Sequence, residues 1–255
     1  MNGELIARTA LGPNDVREMY GLFTSHFEDV SEGQFRTDLA RKHWVIRLRD
    51  RGALQGFTSL QLVNTRVDDD PISVLYSGDT IVRPEARSTT LLARTWIDAV
   101  RRISEGPGVI NLHWLLLVSG FRTYRLLPVF WKRFFPAWSE ATPASVRAGV
   151  DSLAGSMFGG CYDRRAGIVR FVNPQPLRPE LSDIPEHRLA DPHIKFFAAA
   201  NPGHAEGDEL VCWARLSHDN LTEAGKRMWH ASDGACSQVE GTRAAAPADL
   251  AQERS

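Results

Sequence analysis

The feature that most constrains this chain is an abrupt change of hydrophobic period in its first half. Ile72 to Val82 reads as one long strand. It ends at the polar run Arg83-Pro84-Glu85-Ala86-Arg87-Ser88. A helix of about Thr89 to Ser104 follows, with Leu91, Leu92, Trp96, Ala99, Val100 and Ile103 on its apolar side. A strand passing through a short turn into a helix belongs to a layered protein with both sheet and helices. It also gathers free backbone N–H groups at the helix start, where the helix dipole favours an anion such as phosphate. Arg83 and Arg87 add positive charge there, and Ser88, Thr89 and Thr90 add hydroxyl and amide donors.

Upstream, Asp15 to Phe27 reads as a helix capped by Asp15. Ser31 with Gln34 opens a second helix, Glu32 to Lys42. Strands are expected at Trp44–Arg49 and Ala53–Val63, around the turn Asp50-Arg51-Gly52. Asp68, Asp69 and Asp70 mark the turn before the long strand. Downstream, Gly106-Pro107-Gly108 stops the helix, and Val109–Val118 is the most apolar strand, hence central. A helix broken near Pro128 is expected over Ser119–Phe135, and another over Ala144–Met157, stopped by Gly159-Gly160. Gly167–Val172, Ile194–Ala198 and Leu210–Leu216 read as strands. Asn173–Pro192 reads as extended loop and Asn201–Asp208 as a glycine-punctuated loop. Asn220 with Glu223 caps a last helix to about Trp229, and the chain from Ala231 reads as a disordered tail.

Thirty basic against 31 acidic residues give a net charge of −1, which argues against a nucleic-acid binder. The strongest apolar run, Trp114–Val118, is far too short for a membrane span. Cys161, Cys212 and Cys236 form no C-x-x-C pair, and the first residues have no signal-like apolar core, so a reducing, cytoplasmic setting is expected. The histidines and acids show no metal-ligand spacing, and no Walker, Rossmann or nucleophile-elbow motif is present.

Val82, Pro84, Glu85 and Arg87, then Leu91-Leu92, then Phe130-Trp131-Lys132-Arg133-Phe134-Phe135 stand in an order of elements that resembles the GNAT acyltransferase superfamily. The likeness covers roughly residues 1–136. It implies an α+β fold: a mixed, mostly antiparallel sheet flanked by helices. An extension, 137–230, would pack on or complete that core, ahead of a tail, 231–255. In that superfamily the turn usually reads Arg-x-x-Gly-x-Gly/Ala and wraps the donor pyrophosphate. Here it reads Arg87-Ser88-Thr89-Thr90-Leu91-Leu92, with Thr90 and Leu92 at the glycine positions.

The resemblance implies N-acyl transfer to an amine, on a peptide or a small molecule. The donor would be acyl-CoA, or acyl-phosphopantetheine on an acyl carrier protein. Because the superfamily includes enzymes that attach fatty acyl groups to peptide amines, lipidation in natural-product biosynthesis is part of the expectation. Its strands splay to admit the donor arm, and a backbone amide at Ile81 or Val82 would polarise the thioester. Asp79 and His113 are the candidate bases and Tyr124 the candidate acid. His204 and Asp208 are weaker substrate candidates, and Arg122, Arg125, Lys132 and Arg133 form a basic stretch for a carrier or for adenosine phosphates. Each has a plain structural alternative: a core imidazole for His113, a strand-end cap for Asp79, a packed tyrosine for Tyr124, loop hydrogen bonds for His204 and Asp208, and a solvated helix face for the cations. The rival readings of the whole chain are a non-catalytic module of the same fold, binding a peptide or carrier domain, and an unrelated α+β enzyme.

Overall fold

The computed structural model describes residues 1–67, 69–87 and 90–231. Its strands are β1 (Asn2–Ala7), β2 (Trp44–Asp50), β3 (Ala53–Val67), β4 (Asp70–Val82), β5 (His113–Val118), β6 (Phe134–Phe135), β7 (Tyr162–Asp163), β8 (Ile168–Val169) and β9 (Glu209–Arg215). Its helices are α1 (Pro13–Thr24), α2 (Glu32–Ala40), α3 (Leu91–Ser104), α4 (Phe121–Tyr124), α5 (Leu126–Phe130), α6 (Ala144–Phe158), α7 (Pro179–Ser182), α8 (Pro192–Ala200) and α9 (Glu223–Ala231). The strands form one sheet in the order β1-β2-β3-β4-β5-β9-β8-β7, with β6 also on β9. Every pairing is antiparallel except β4–β5. The class is α+β, and residues beyond 136 complete the sheet by placing β9 against β5.

Alternation along the strands sends side chains to two faces. Leu60, Leu75, Trp114 and Leu116 face α3, whose buried Trp96, Ile97, Val100 and Ile103 form its apolar stripe. Burying each such side chain contributes about 1.5–3 kcal/mol. On the opposite face two separate clusters form. Phe57 and Ile81 pack under α1 and α2, against Leu22, Phe23 and Phe35. Val74, Leu115 and Val211 pack under α6, against Leu153 and Ala154. The two helical covers leave β4 and the start of β9 between them.

Several local expectations change. The strand β1 has no counterpart in the sequence reading; it pairs with β2 at the sheet edge. The first helix is capped at Gly12, and Asp15 is its third helical residue, accepting the Gly12 N–H at 3.0 Å. Val109–Leu112 is not strand, so β5 begins at His113. The helical break falls at Arg125, between α4 and α5, and Pro128 is tolerated in the first turn of α5. Ile194–Ala198 is helical: Asp191 caps α8, accepting the His193 N–H at 2.9 Å, and Pro192 starts it. Asn173–Pro192 contains α7 and a 3-10 turn at Glu186–Ala190. The last helix is held at its start by Thr222, whose hydroxyl accepts the Gly225 N–H at 3.2 Å; Asn220 binds the Arg133 and Arg215 carbonyls instead. The tail expectation from Ser232 onward, and Asp68 of the acidic turn, lie outside the described residues.

Gly56 on β3 tests the packing of the β4 end. A Cβ there would lie 2.7 Å from the Ile81 carbonyl oxygen and 3.2 Å from the Val82 Cα. Gly56→Ala is expected to lower unfolding free energy by about 1–3 kcal/mol in a denaturant titration. Gly21→Ala, in α1 with open space around the new methyl, should raise it by about 0.5–1 kcal/mol.

Candidate active site

The site begins where two strands part. β4 and β5 are paired only from Val74–His113 to Ser77–Leu116. Beyond that point β4 stays with β3 up to Val82, while β5 stays with β9 up to Val118. A bulge sits at the fork: Leu60 faces Ser77 and Thr58 faces Thr80, so Gly78 and Asp79 together oppose Ser59. An extra residue of this kind bends a strand and increases its twist. Gly78 is needed at the bend, since a Cβ would lie 2.8 Å from Ser59 Oγ and 3.0 Å from Lys42 Nζ. A slit therefore opens between β4 and β5. The fold is GNAT-like.

The edge of β4 that faces the slit carries free backbone groups. The Arg83 N–H donates to Gln55 O at 2.8 Å. The alternation of an antiparallel ladder then turns the Val82 N–H and C=O away from β3, while the Ile81 N–H points to β3. The Val82 carbonyl is engaged by His26 Nε2 at 3.1 Å and by Arg87 Nε at 3.0 Å. These bonds hold the peptide plane between Val82 and Arg83, the one that follows the Val82 N–H. Burial, with Arg87 and Arg83 adding, holds the His26 pKa below its ordinary value, and its other ring nitrogen, Nδ1, faces Leu22 O at 3.1 Å.

On the α3 face the slit opens into a cavity of about 600 Å³. Its apolar wall includes Trp96, Trp114, Leu116, Phe121, Phe130 and Trp131. The Trp96 ring lies 4.3 Å from that of Trp114 and 6.1 Å from that of Trp131. Arg87, Arg122, Arg125 and Arg188 also line it. Residues 176–194 roof the cavity. Pro176 O accepts the Glu28 N–H and His26 O the Arg178 N–H, each at 2.9 Å. Leu177 bridges to Phe27 and fills the space left by Gly120, where a Cβ would meet its Cδ1 at 2.8 Å. Arg122 donates to Leu181 O at 2.6 Å, and Arg125 pairs with Asp191.

On the opposite face, between the covers of α1–α2 and α6, lies a cluster of polar side chains. Tyr76 and Asp79 come from β4, Glu209 from β9, and Lys42 from just after α2. Lys42 Nζ stands 4.1 Å from the Tyr76 ring centroid. Ser119 Oγ donates to Glu209 Oε1 at 3.0 Å. Burial raises the Asp79 carboxyl to about 6, against the lowering pull of Lys42, and raises Glu209 to about 7. Burial lowers the Lys42 ammonium, against Asp79, Asp38 and Glu209. Two carboxyls poised near neutrality on either side of a slit are suited to accept a proton from an amine.

The predicted residues divide accordingly. Asp79, Ile81, Val82 and Arg87 gather at the fork and cavity, as do Arg122 and Arg125. Arg83 turns away, its Nε donating to Leu54 O at 3.1 Å. Thr90 is exposed just before α3 and makes no side-chain cap. Ser88 and Thr89 lie outside the described residues. His113 sits at the far end of β5, its Nδ1 2.6 Å from Asn111 O and its ring stacked on Trp213 at 4.9 Å. It is a packed imidazole remote from the slit. Tyr124 is fully buried with its hydroxyl donating to Pro136 O at 2.9 Å, and burial pushes its phenol well above the ordinary value, so it is a packing residue. His204 contacts Asn201 O at 3.0 Å and Ser182 O at 3.3 Å, and Asp208 accepts from Arg170 at 2.9 Å; both hold loops together. Lys132 and Arg133 are tied to Asp219 O and Glu140, away from the cavity. His26, Lys42 and Glu209 were not expected. Lys42 is one of only four lysines, and Glu209 heads a strand whose next five residues are apolar.

No protein-family model matches the sequence, and no curated protein does. Solved structures do match. One is a probable N-acyltransferase of Enterococcus faecalis V583, at 12% identity over 52% of this chain and 33% of that one, TM-score 0.42. Another is Saccharomyces cerevisiae N-myristoyltransferase with bound myristoyl-CoA, at 16% identity over 46% and 31%, TM-score 0.37. A third is the ribosomal-protein-S18-alanine N-acetyltransferase of Escherichia coli, at 13% identity over 84% and 94%, TM-score 0.43. The chain thus spans about a third of the length of the first two. Among the described residues no helix is long and apolar enough to cross a membrane.

The carboxyls make this cluster pH-sensitive. Asp79 and Glu209 have folded pKa values above their unfolded ones. Their stabilising contribution is therefore present below about pH 4 and is lost as pH rises through about 6 and 7. The Tm of Asp79→Asn and Glu209→Gln, relative to the parent, should be more favourable at pH 8 than at pH 4.

Proposed function

We propose that this protein is an N-acyltransferase, moving an acyl group from a phosphopantetheine thioester to an amine. The observation that carries this reading is the slit at the β4–β5 fork, with an apolar cavity on one side and paired carboxyls on the other. In this reading the pantetheine arm lies in the slit and the acyl chain in the cavity. A volume of about 600 Å³ walled by tryptophans and phenylalanines supports a medium or long chain. The amine enters from the polar face. Asp79 takes a proton from the ammonium, and the neutral nitrogen attacks the thioester carbon. The resulting oxyanion is stabilised by the Val82 N–H. The C–S bond then breaks as the amide forms, and the departing thiolate takes up the second nitrogen proton. The arginines of the cavity rim would bind the donor phosphate, whether it belongs to coenzyme A or to an acyl carrier protein.

The test is incubation of the full chain with acyl-CoA of increasing length and with acyl carrier protein thioesters, plus amine acceptors, read by mass spectrometry for amide and free thiol. Amide product with both thiol release and saturation is the expected result; no consumption of any thioester with any amine overturns the reading. Asp79→Asn should lower kcat/KM by about 10²–10⁴ and remove the acidic limb of the pH profile near pH 6. A profile that keeps this limb would assign the base elsewhere.

A further inference from the structure

The last helix takes part in a pair of histidines that acyl transfer does not use. His218 stands in the 3-10 turn His218–Asn220, ahead of α9, and His230 in the last turn of α9. They are 12 positions apart in the chain, yet their Nε2 atoms lie 3.4 Å from each other. The ring centroids are 5.3 Å apart, and the ring planes meet at 67°. Both residues are exposed.

These two separations discriminate between kinds of contact. A straight N–H···N hydrogen bond of this length would put the centroids about 5.7 Å apart, and hydrogen bonds favour straightness. The rings are instead tilted off the line between their nitrogens. A tetrahedral ion bonded to both nitrogens at about 2.0–2.1 Å sets the nitrogens about 3.3–3.4 Å and the centroids about 5.1–5.3 Å apart. The pair meets both requirements. The turn that carries His218 is also fixed from outside: Lys132 Nζ donates to Asp219 O, and Asn220 Nδ2 donates to the Arg133 and Arg215 carbonyls, each at 2.9 Å. On the other side Trp229 packs against the core, with its ring edge-on to His218 at 5.9 Å. His230 lies at the C-terminal end of its helix, where the dipole favours a cation.

We propose that His218 and His230 form a surface site for one divalent transition-metal ion of the Zn²⁺ class, bound through their two Nε2 atoms. Imidazole nitrogens suit Zn²⁺, Cu²⁺ or Ni²⁺, whereas Mg²⁺ and Ca²⁺ take oxygen ligands. Among the described residues no group of three or more His, Cys, Asp and Glu side chains is placed to hold a metal, so water completes the coordination. The ion ties the turn at residues 218–220 to the far end of α9. Leu221, next in the chain, bridges to Trp131, and the Thr222 N–H donates to Phe130 O at 3.0 Å. The staple therefore secures the segment that backs the cavity wall. It stands whether or not the protein transfers acyl groups.

The test is equilibrium dialysis of the full-length, chelator-treated protein against Zn²⁺, with Mg²⁺ as the control. The parent should retain Zn²⁺ and no Mg²⁺. His218→Gln and His230→Gln, both at exposed positions away from the fork, should each bind one Zn²⁺ fewer per chain with far-UV circular dichroism unchanged. Zn²⁺ should raise the Tm of the parent by a few degrees and lose that effect in both variants, since an ion bound only by the folded chain stabilises it. Histidine ¹⁵N NMR reads the ligands directly: the Nε2 resonances of His218 and His230 should shift together on adding Zn²⁺. No Zn²⁺ retained by the parent overturns the site. So does a stoichiometry unchanged in either variant, or a shift at only one of the two rings.

Discussion

The structure depends on a short parallel ladder that stops early. Four residue pairs hold β4 to β5, and then each strand follows its other neighbour. Strand twist alone would let two neighbours drift apart slowly. The bulge at Gly78–Asp79 makes the separation abrupt, because the extra residue bends β4 while β3 holds its far end. A separated pair leaves backbone N–H and C=O groups without ladder partners, which is costly in a buried setting. Here His26 and Arg87 satisfy the Val82 carbonyl. The bend also turns Asp79 onto the polar face.

The two faces of the fork differ in kind because their covers differ. On one side α3, α4 and the roof at residues 176–194 close an aromatic cavity edged by arginines. On the other, α1–α2 and α6 stop short of each other and leave titratable groups half-buried. Partial burial is what raises Asp79 and Glu209 toward neutrality, since the charged form loses water without gaining a full set of hydrogen bonds. Glu209 retains the Ser119 hydroxyl, and Lys42 offsets part of the cost for both acids.

Much of the first half was legible in the sequence because its signals are local. The Ser31 cap, the Pro84 turn, the α3 stripe and the apolar β5 each depend on neighbours within one element. Asp79 and Val82 were singled out because the turn that follows them is distinctive. Strand β1 was not legible: Asn2–Ala7 is short, and it becomes a strand only by pairing with β2. Ile194–Ala198 misled because a short apolar run fits both periods, and the Asp191-Pro192 start decides for helix. The register of β5 puts His113 at the strand's start, and Tyr124 is packed with its hydroxyl on Pro136 O; neither placement is legible from residue type. Lys42 and Glu209 gain their meaning from each other, across elements far apart in the chain.

That distance has a consequence for how the protein matures. Asp79 and Glu209 are about half the chain apart, and loops of that length close slowly during folding. During synthesis the N-terminal strands and α3 emerge first, with β5 lacking its antiparallel neighbour until β9 is made. Until then the edge of β5 from His113 to Val118 is an apolar strand open to pairing with another chain. The pairing of β9 covers that edge and places Glu209 at the fork. The strand that covers the edge of β5 thus also carries the second acid of the fork.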